Sequence, residues 1–84
     1  MKMKFEVRFT PRFLKRIKAL DRAIQVQVFH EIDVLKTSPY AGKPLRGEWK
    51  GVYSLKVGAY RVLYQVRGSE VLLLAVSHRK HVYR

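Results

Sequence analysis

The chain opens on an alternation of period two. Met3, Phe5, Val7 and Phe9 are apolar, and the intervening Lys4, Glu6 and Arg8 are charged. Such alternation predicts a half-buried strand. Thr10 and Pro11 then change the rhythm. Threonine followed by proline reads as a helix N-cap with proline at the first helical position, where a missing N–H costs nothing and the fixed φ already fits. Phe13, Leu14, Ile17 and Leu20 fall on one helical face, with Arg12, Lys15, Arg16 and Lys18 mostly off it. Asp21 predicts a second N-cap, and Ile24, Val28, Ile32 and Leu35 recur behind it at helical spacing. Thr37-Ser38-Pro39 stops this helix, because the residue before a proline is pushed out of the helical region. Two helices joined so briefly predict an antiparallel hairpin.

Gly42, Pro44, Gly47 and Gly51 punctuate a basic stretch, which predicts an ordered loop over 39–51. Three strands follow near 52–57, 59–66 and 70–77, with tight turns at Gly58-Ala59 and Gly68-Ser69. Two-residue turns set the registers. Val57 faces Tyr60, Lys56 faces Arg61, Val66 faces Val71, and Arg67 faces Glu70 as a favourable pair. Tyr53, Leu55, Val57, Tyr60, Val62 and Tyr64 then share a face, assigned to the core beneath the helices. Ser54, Lys56, Arg61, Leu63 and Gln65 share the other face. Continued alternation puts Leu72, Leu74, Val76 and His78 on one side of the last strand. The run from Val71 to Val76 is apolar on both sides, as in a central strand covered on both faces. Two helices cover only one. Two outcomes therefore stand for the region around Leu63, Leu72, Leu74 and Val76: an apolar groove awaiting a partner, or a loop 39–51 or C-terminal tail folded over it. The expected fold is α+β in the order β-α-α-β-β-β. A helical hairpin packs on one face of a four-stranded, mainly antiparallel sheet, and residues 1–84 form a single domain.

Charge changes this picture. Lys and Arg number 18 and Asp and Glu 6 among 84 residues, a net charge of +12. Self-repulsion of that size opposes a compact state, so a polyanionic partner is expected, nucleic acid first. Residues 43–84 carry nine basic and two acidic side chains, against nine and four in residues 1–42, so the second half is the expected anion-facing surface. There is no cysteine. That excludes disulfides, thiolate metal sites and cysteine nucleophiles, and fits a reducing, cytoplasmic setting. No apolar run is long enough to span a membrane, and no apolar segment follows the basic N-terminus as a signal peptide requires.

Lys56 opposite Arg61 is the most informative pair, because like charges directly across two strands are destabilising unless an anion lies between them. His78 continues the Leu72, Leu74 and Val76 side of the last strand, and Arg79 and Lys80 follow it directly. Arg46 and Lys50 lie in the loop that feeds the strand of Lys56, and Tyr83 supplies an aromatic at the edge. Cations for phosphates and a ring for stacking suit single-stranded RNA. Other chemistries lack their parts. The histidines, His30, His78 and His81, lack metal-ligand spacing. Glu48 and Glu70 are too few for a carboxylate pair, and no glycine-rich phosphate loop is present, so no cofactor or metal is expected. RNA permits catalysis without them, since its own 2′-hydroxyl serves as nucleophile and yields a 2′,3′-cyclic phosphate. The protein must then align sugar and phosphate, move two protons and neutralise charge in the transition state. A lysine crowded by cations serves as base, and an arginine fork suits phosphate oxygens.

The Leu45-Arg46-Gly47 loop, Val52-Tyr53 leading to Lys56, the strand Tyr60-Arg61-Val62-Leu63-Tyr64 and the ending His78-Arg79-Lys80-His81-Val82-Tyr83 together resemble the RelE/ParE superfamily of type II toxins. The resemblance covers nearly the whole chain and implies a toxin held in check by a cognate, acidic, amphipathic RelB-like antitoxin. RelE-like members cleave mRNA in the ribosomal A site, whereas ParE-like members poison DNA gyrase and are not nucleases. For a RelE-like toxin the resemblance implies four catalytic residues. Lys56 is base or charge stabiliser, Arg61 stabilises the transition-state phosphate, Arg79 is a second cation and proton donor, and Tyr83 orients the substrate base. Arg46, Lys50, Ser54, His78 and Lys80 are the expected RNA-binding residues around them. Ser54 stands where the family has the first lysine of a pair. Lys43 precedes Pro44-Leu45 where another branch has the glutamate of a Glu/His acid–base pair. Two alternatives remain beside the nuclease: a gyrase poison, and an inactive RNA-binding protein of the same fold.

Overall fold

A computed structural model describes residues 4–81. It contains β1 (Glu6–Phe9), α1 (Pro11–Lys18), α2 (Arg22–Val34), β2 (Lys43–Pro44), β3 (Tyr53–Val57), β4 (Tyr60–Arg67) and β5 (Glu70–His78). The strands form one sheet in the order β1-β5-β4-β3-β2. β1 runs parallel to β5, and every other neighbouring pair is antiparallel. The class is the expected α+β, with one strand more than the alternation predicts. The addition, β2, lies in the stretch read as a loop. Two residues beside a glycine carry no alternation to detect.

The helix-side core forms as predicted. Phe13 and Ile17 of α1 and Val28, Ile32 and Leu35 at α2 bury against Val57, Val62, Tyr64, Val71, Leu73 and Val76. Leu14 departs from its assignment and is 39% exposed, because the stripe that α1 buries is the narrow line through Phe13 and Ile17. Gln25 joins the two helices by donating from its side-chain amide to the carbonyls of Ile17 (2.9 Å) and Leu20 (3.1 Å). The turn glycines Gly58 and Gly68 have φ of 59° and 56°, a region where other residues are strained. The predicted registers hold, including Lys56 opposite Arg61 and Arg67 opposite Glu70.

The main difference lies in β5. Leu63 pairs with Ala75 and Tyr64 with Leu73, so Leu74 is an unmatched residue. Such a bulge shifts alternation by one position beyond it. Val71 and Leu73 face the helices before the bulge, and Val76 and His78 face them after it, opposite Val62 and Tyr60. The expectation that Val76 and His78 continue the side of Leu72 and Leu74 is therefore corrected. Ala75 and Ser77 occupy the second face instead.

Thr10 holds the bulge. Its backbone N–H donates to the Leu73 carbonyl at 3.2 Å, and its hydroxyl donates to the same carbonyl at 2.8 Å, with the Leu74 carbonyl at 3.3 Å. The same oxygen accepts the N–H of Phe13 at 3.2 Å, which caps α1 as Thr10-Pro11 predicts. One side chain thus ends β1, starts α1 and supplies a partner to carbonyls that β1 is too short to reach.

The second face is partly covered by the loop. Leu45 and Val52 pack with Leu63, Leu74 and Ala75, and the Leu45 N–H donates to the Val52 carbonyl at 2.9 Å. Leu63 is left 3% exposed. Of the two outcomes open from sequence, folding of the segment around β2 over this region is the one found.

Replacing Thr10 by alanine removes the cap and the hydroxyl at the bulge together. Thr10→Ala is expected to lower unfolding free energy by about 1–2 kcal/mol in urea melts, with Thr10→Ser close to the parent.

Candidate functional site

Register arranges the free face in rows across the sheet. Ser77, Arg61 and Lys56 stand side by side on β5, β4 and β3. The next row is Ala75, Leu63, Ser54 and Lys43, which adds β2. Cβ atoms of directly opposed residues lie about 5 Å apart, so the Lys56 ammonium and the Arg61 guanidinium reach one common anion. Lys56 is exposed, while Arg61 is half-buried with Nη1 3.4 Å from the Tyr60 carbonyl.

Acids gather at the opposite end of this face. Glu6 and Glu70 are opposed on β1 and β5, and Arg8 bridges them, bonding Glu70 and lying 3.2 Å from Glu6. The Glu70 hydrogen bond, followed by the Glu6 charge, holds the Arg8 guanidinium above its ordinary pKa. Glu70 thus engages Arg8 rather than the Arg67 opposite it, because the parallel neighbour β1 brings a second arginine that hairpin register alone does not reveal. Among the described residues, Lys43, Lys56, Arg61 and Arg79 form no ion pair. Among the described residues, cations without ion-pair partners stand at one end, and two acids around one arginine stand at the other.

Arg79 joins the cationic end. It follows β5 directly, and its N–H donates to the Ala59 carbonyl at 2.8 Å. That bond extends the ladder by one residue, so alternation after Ser77 carries Arg79 to the side of Arg61. His78 is turned the other way, with its ring edge-on to Tyr60 at 5.5 Å. It serves the turn instead. Nδ1 of His78 accepts the Lys80 N–H at 3.3 Å, and its carbonyl accepts the His81 N–H at 2.8 Å. Lys80 is exposed on that turn. Tyr83 lies outside the described residues.

Arg46 and Lys50 are exposed in the β2–β3 loop, which joins β3 at Val52. Four residues of strand, about 13 Å, separate Val52 from Lys56. Ser54 lies within the second row but is 8% exposed, and its hydroxyl has no hydrogen-bond partner.

Two residues enter that sequence reasoning missed. Ser77 stands opposite Arg61 only because of the bulge. Arg16 reaches it from α1, with Nη2 3.5 Å from the Ser77 oxygen. β1 pairs only with the first part of β5, and α1 then runs along the remainder of that strand. No periodicity marks this approach. No group of three or more His, Asp or Glu placed to hold a metal ion occurs among the described residues.

The free face thus carries, among the described residues, a cluster of cations without ion-pair partners, and comparison with known proteins places the fold. Residues 7–83 match the family described as the ParE toxin of the type II toxin–antitoxin system parDE. Toxin RelG of Mycobacterium tuberculosis (strain ATCC 25618 / H37Rv) is 35% identical over 86 residues, covering 98% of this chain and 99% of the relative. The toxin–antitoxin complex RelBE2 of the same species contains a chain 34% identical with a TM-score of 0.84, covering 90% of this chain and 99% of that one. The isolated Escherichia coli RelE toxin is 28% identical with a TM-score of 0.76, covering 94% and 90%. The chain belongs to the RelE/ParE superfamily of type II toxins.

Lys56 opposite Arg61 is a like-charge pair that costs stability. Lys56→Gln is expected to raise unfolding free energy by roughly 0.3–1 kcal/mol at low ionic strength. The gain should shrink in about 1 M salt, where the Debye length falls to about 3 Å. Chemical denaturation at the two salt concentrations checks this.

Proposed function

We propose that this protein is a ribosome-dependent mRNA endoribonuclease that arrests translation in the cytoplasm and is neutralised by its own antitoxin. The observation that carries the reading is the set Lys56, Arg61 and Arg79 at one end of the free face, none of them in an ion pair among the described residues. A phosphodiester lying between Lys56 and Arg61 turns their repulsion into attraction on both sides. The 2′-oxygen attacks the adjacent phosphorus, the bond to the 5′-oxygen breaks, and a cyclic phosphate remains. Lys56 takes the 2′-proton or stabilises the charge, and the planar fork of Arg61 binds the equatorial oxygens as charge grows on them. Arg79 neutralises the departing oxygen and serves as its proton source. Tyr83 orients the base. Arg46 and Lys50, displaced along the strand, suit flanking nucleotides rather than the reacting link, and Lys80 extends the cationic rim. His78 acts by holding the turn that carries Arg79.

The antitoxin reading has support of its own. Similar structures include the RelBE2 complex and the RelB–RelE complex of Methanococcus jannaschii, the latter 25% identical with a TM-score of 0.73. In this chain Phe9, Val26 and Phe29 are exposed, with the Phe9 and Phe29 rings 5.9 Å apart at the outer edge of β1. An acidic, amphipathic segment would cover these rings and lower the net charge of the complex.

A gyrase poison is the second reading, favoured by the ParE description of the matching family and by a TM-score of 0.72 to the chromosomal ParDE system of Pseudomonas aeruginosa. Toeprinting of translated mRNA alongside a supercoiling assay separates the two. Arg61→Ala is expected to lower ribosomal cleavage by about a hundredfold or more with the fold retained, and to abolish growth arrest. Intact mRNA together with gyrase inhibition would replace the nuclease by the poison, and full toxicity of Arg61→Ala would remove the mechanism.

A further inference from the structure

The free face holds a cation and a hydroxyl that the reaction above does not use. β2 is two residues long, too short to hold itself, yet it is fixed at Gly42. The Gly42 N–H donates to the buried Tyr64 hydroxyl at 2.9 Å. A Cβ at position 42 would lie 2.7 Å from that hydroxyl and 3.1 Å from the Ser54 carbonyl, so only glycine allows the approach. Burial pushes the Tyr64 phenol pKa up, which keeps it a neutral partner for that N–H. Pro44 follows with its fixed φ, and Leu45 bonds Val52. This anchoring places Lys43 directly opposite Ser54, on the face of Lys56 and Arg61.

We propose that Lys43 and Ser54 form a second phosphate subsite, spanning β2 and β3, that holds the sugar–phosphate link next to the one being cleaved. The inference rests on the reading of the free face as an RNA surface. Lys43 is exposed and without an acidic partner among the described residues. The Ser54 hydroxyl is buried with no partner of its own. Flexible lysines flank it, Lys43 across the ladder and Lys56 two residues along the strand. A phosphate seated there takes charge from Lys43 and, as the side chains over Ser54 part, accepts the hydroxyl hydrogen. Diagonal positions in adjacent strands lie about 7–8 Å apart, far enough for a neighbouring link rather than the same one. The subsite sets the direction and register of the strand on the sheet.

Single-turnover cleavage of ribosome-bound mRNA tests this with Lys43→Met, Lys43→Arg and the double variant Lys43→Met/Ser54→Lys. Lys43→Met is expected to cleave about ten- to a hundredfold more slowly, Lys43→Arg close to the parent rate, and the double variant to recover much of the loss because its cation returns from the adjoining strand. A Lys43→Met rate within about twofold of the parent overturns the subsite and leaves the nuclease intact. A loss that neither Lys43→Arg nor the double variant rescues marks a structural role and overturns it as well. Should Ser54→Lys prevent folding, the arginine arm decides alone. If the parent itself does not cleave, the function reading has failed, and binding of a 2′-O-methyl RNA hexanucleotide decides the subsite separately. There Lys43→Met is expected to reduce the slope of log affinity against log salt by about 0.7, while Lys15→Met on α1 leaves it unchanged. Equal slopes for Lys43→Met and the parent overturn the subsite.

Discussion

Two helices cover one face of a five-stranded sheet, and the other face must find its own solution. On the covered side the solution is a dense apolar core around Tyr64, Phe13 and Leu73. On the open side it is divided. Leu45 and Val52 fold over Leu63, Leu74 and Ala75, Arg8 ties Glu6 to Glu70, and the remaining end carries cations with no ion-pair partner among the described residues. A small domain gains its stability mainly from burial, so a row of like charges is a cost met by the rest of the fold. That cost falls on the rows containing Lys56, Arg61 and Lys43, where an RNA phosphate would offset it.

The geometry of that end depends on the bulge at Leu74. Without the extra residue, Ser77 and Arg79 would face the helices, and His78 would stand among the cations. Thr10 links this feature to the start of the chain by bonding both the bulge and the first turn of α1. It also fixes where α1 leaves the sheet, which brings Arg16 to the edge of the cationic row. The position of Arg79, near the C-terminus, thus depends on a hydroxyl near the N-terminus.

Much of this was legible in the sequence, for local reasons. Thr10-Pro11 carries a cap signature, and the structure places a cap there. Gly58-Ala59 and Gly68-Ser69 demand tight turns, and a tight turn dictates which residues oppose each other. The pairing of Lys56 with Arg61 followed directly. What stayed hidden depends on distant chain segments. The bulge lies inside a run from Val71 to Val76 that is apolar on both faces, so no break in alternation betrays it. β2 is too short to show a period. The capture of Glu70 by Arg8 requires the parallel pairing of β1 with β5, which no turn specifies.

In the proposed reaction the open face aligns an RNA 2′-hydroxyl with its own phosphate and stabilises the charge that develops. The chemistry of the new RNA ends tests it most directly. Mass spectrometry of mRNA fragments from a translation reaction containing the protein should find 2′,3′-cyclic phosphates, or the 3′-phosphates into which they open, paired with 5′-hydroxyls. Fragments ending in 3′-hydroxyl and 5′-phosphate would mean that water, not the RNA itself, attacks, and would overturn the mechanism.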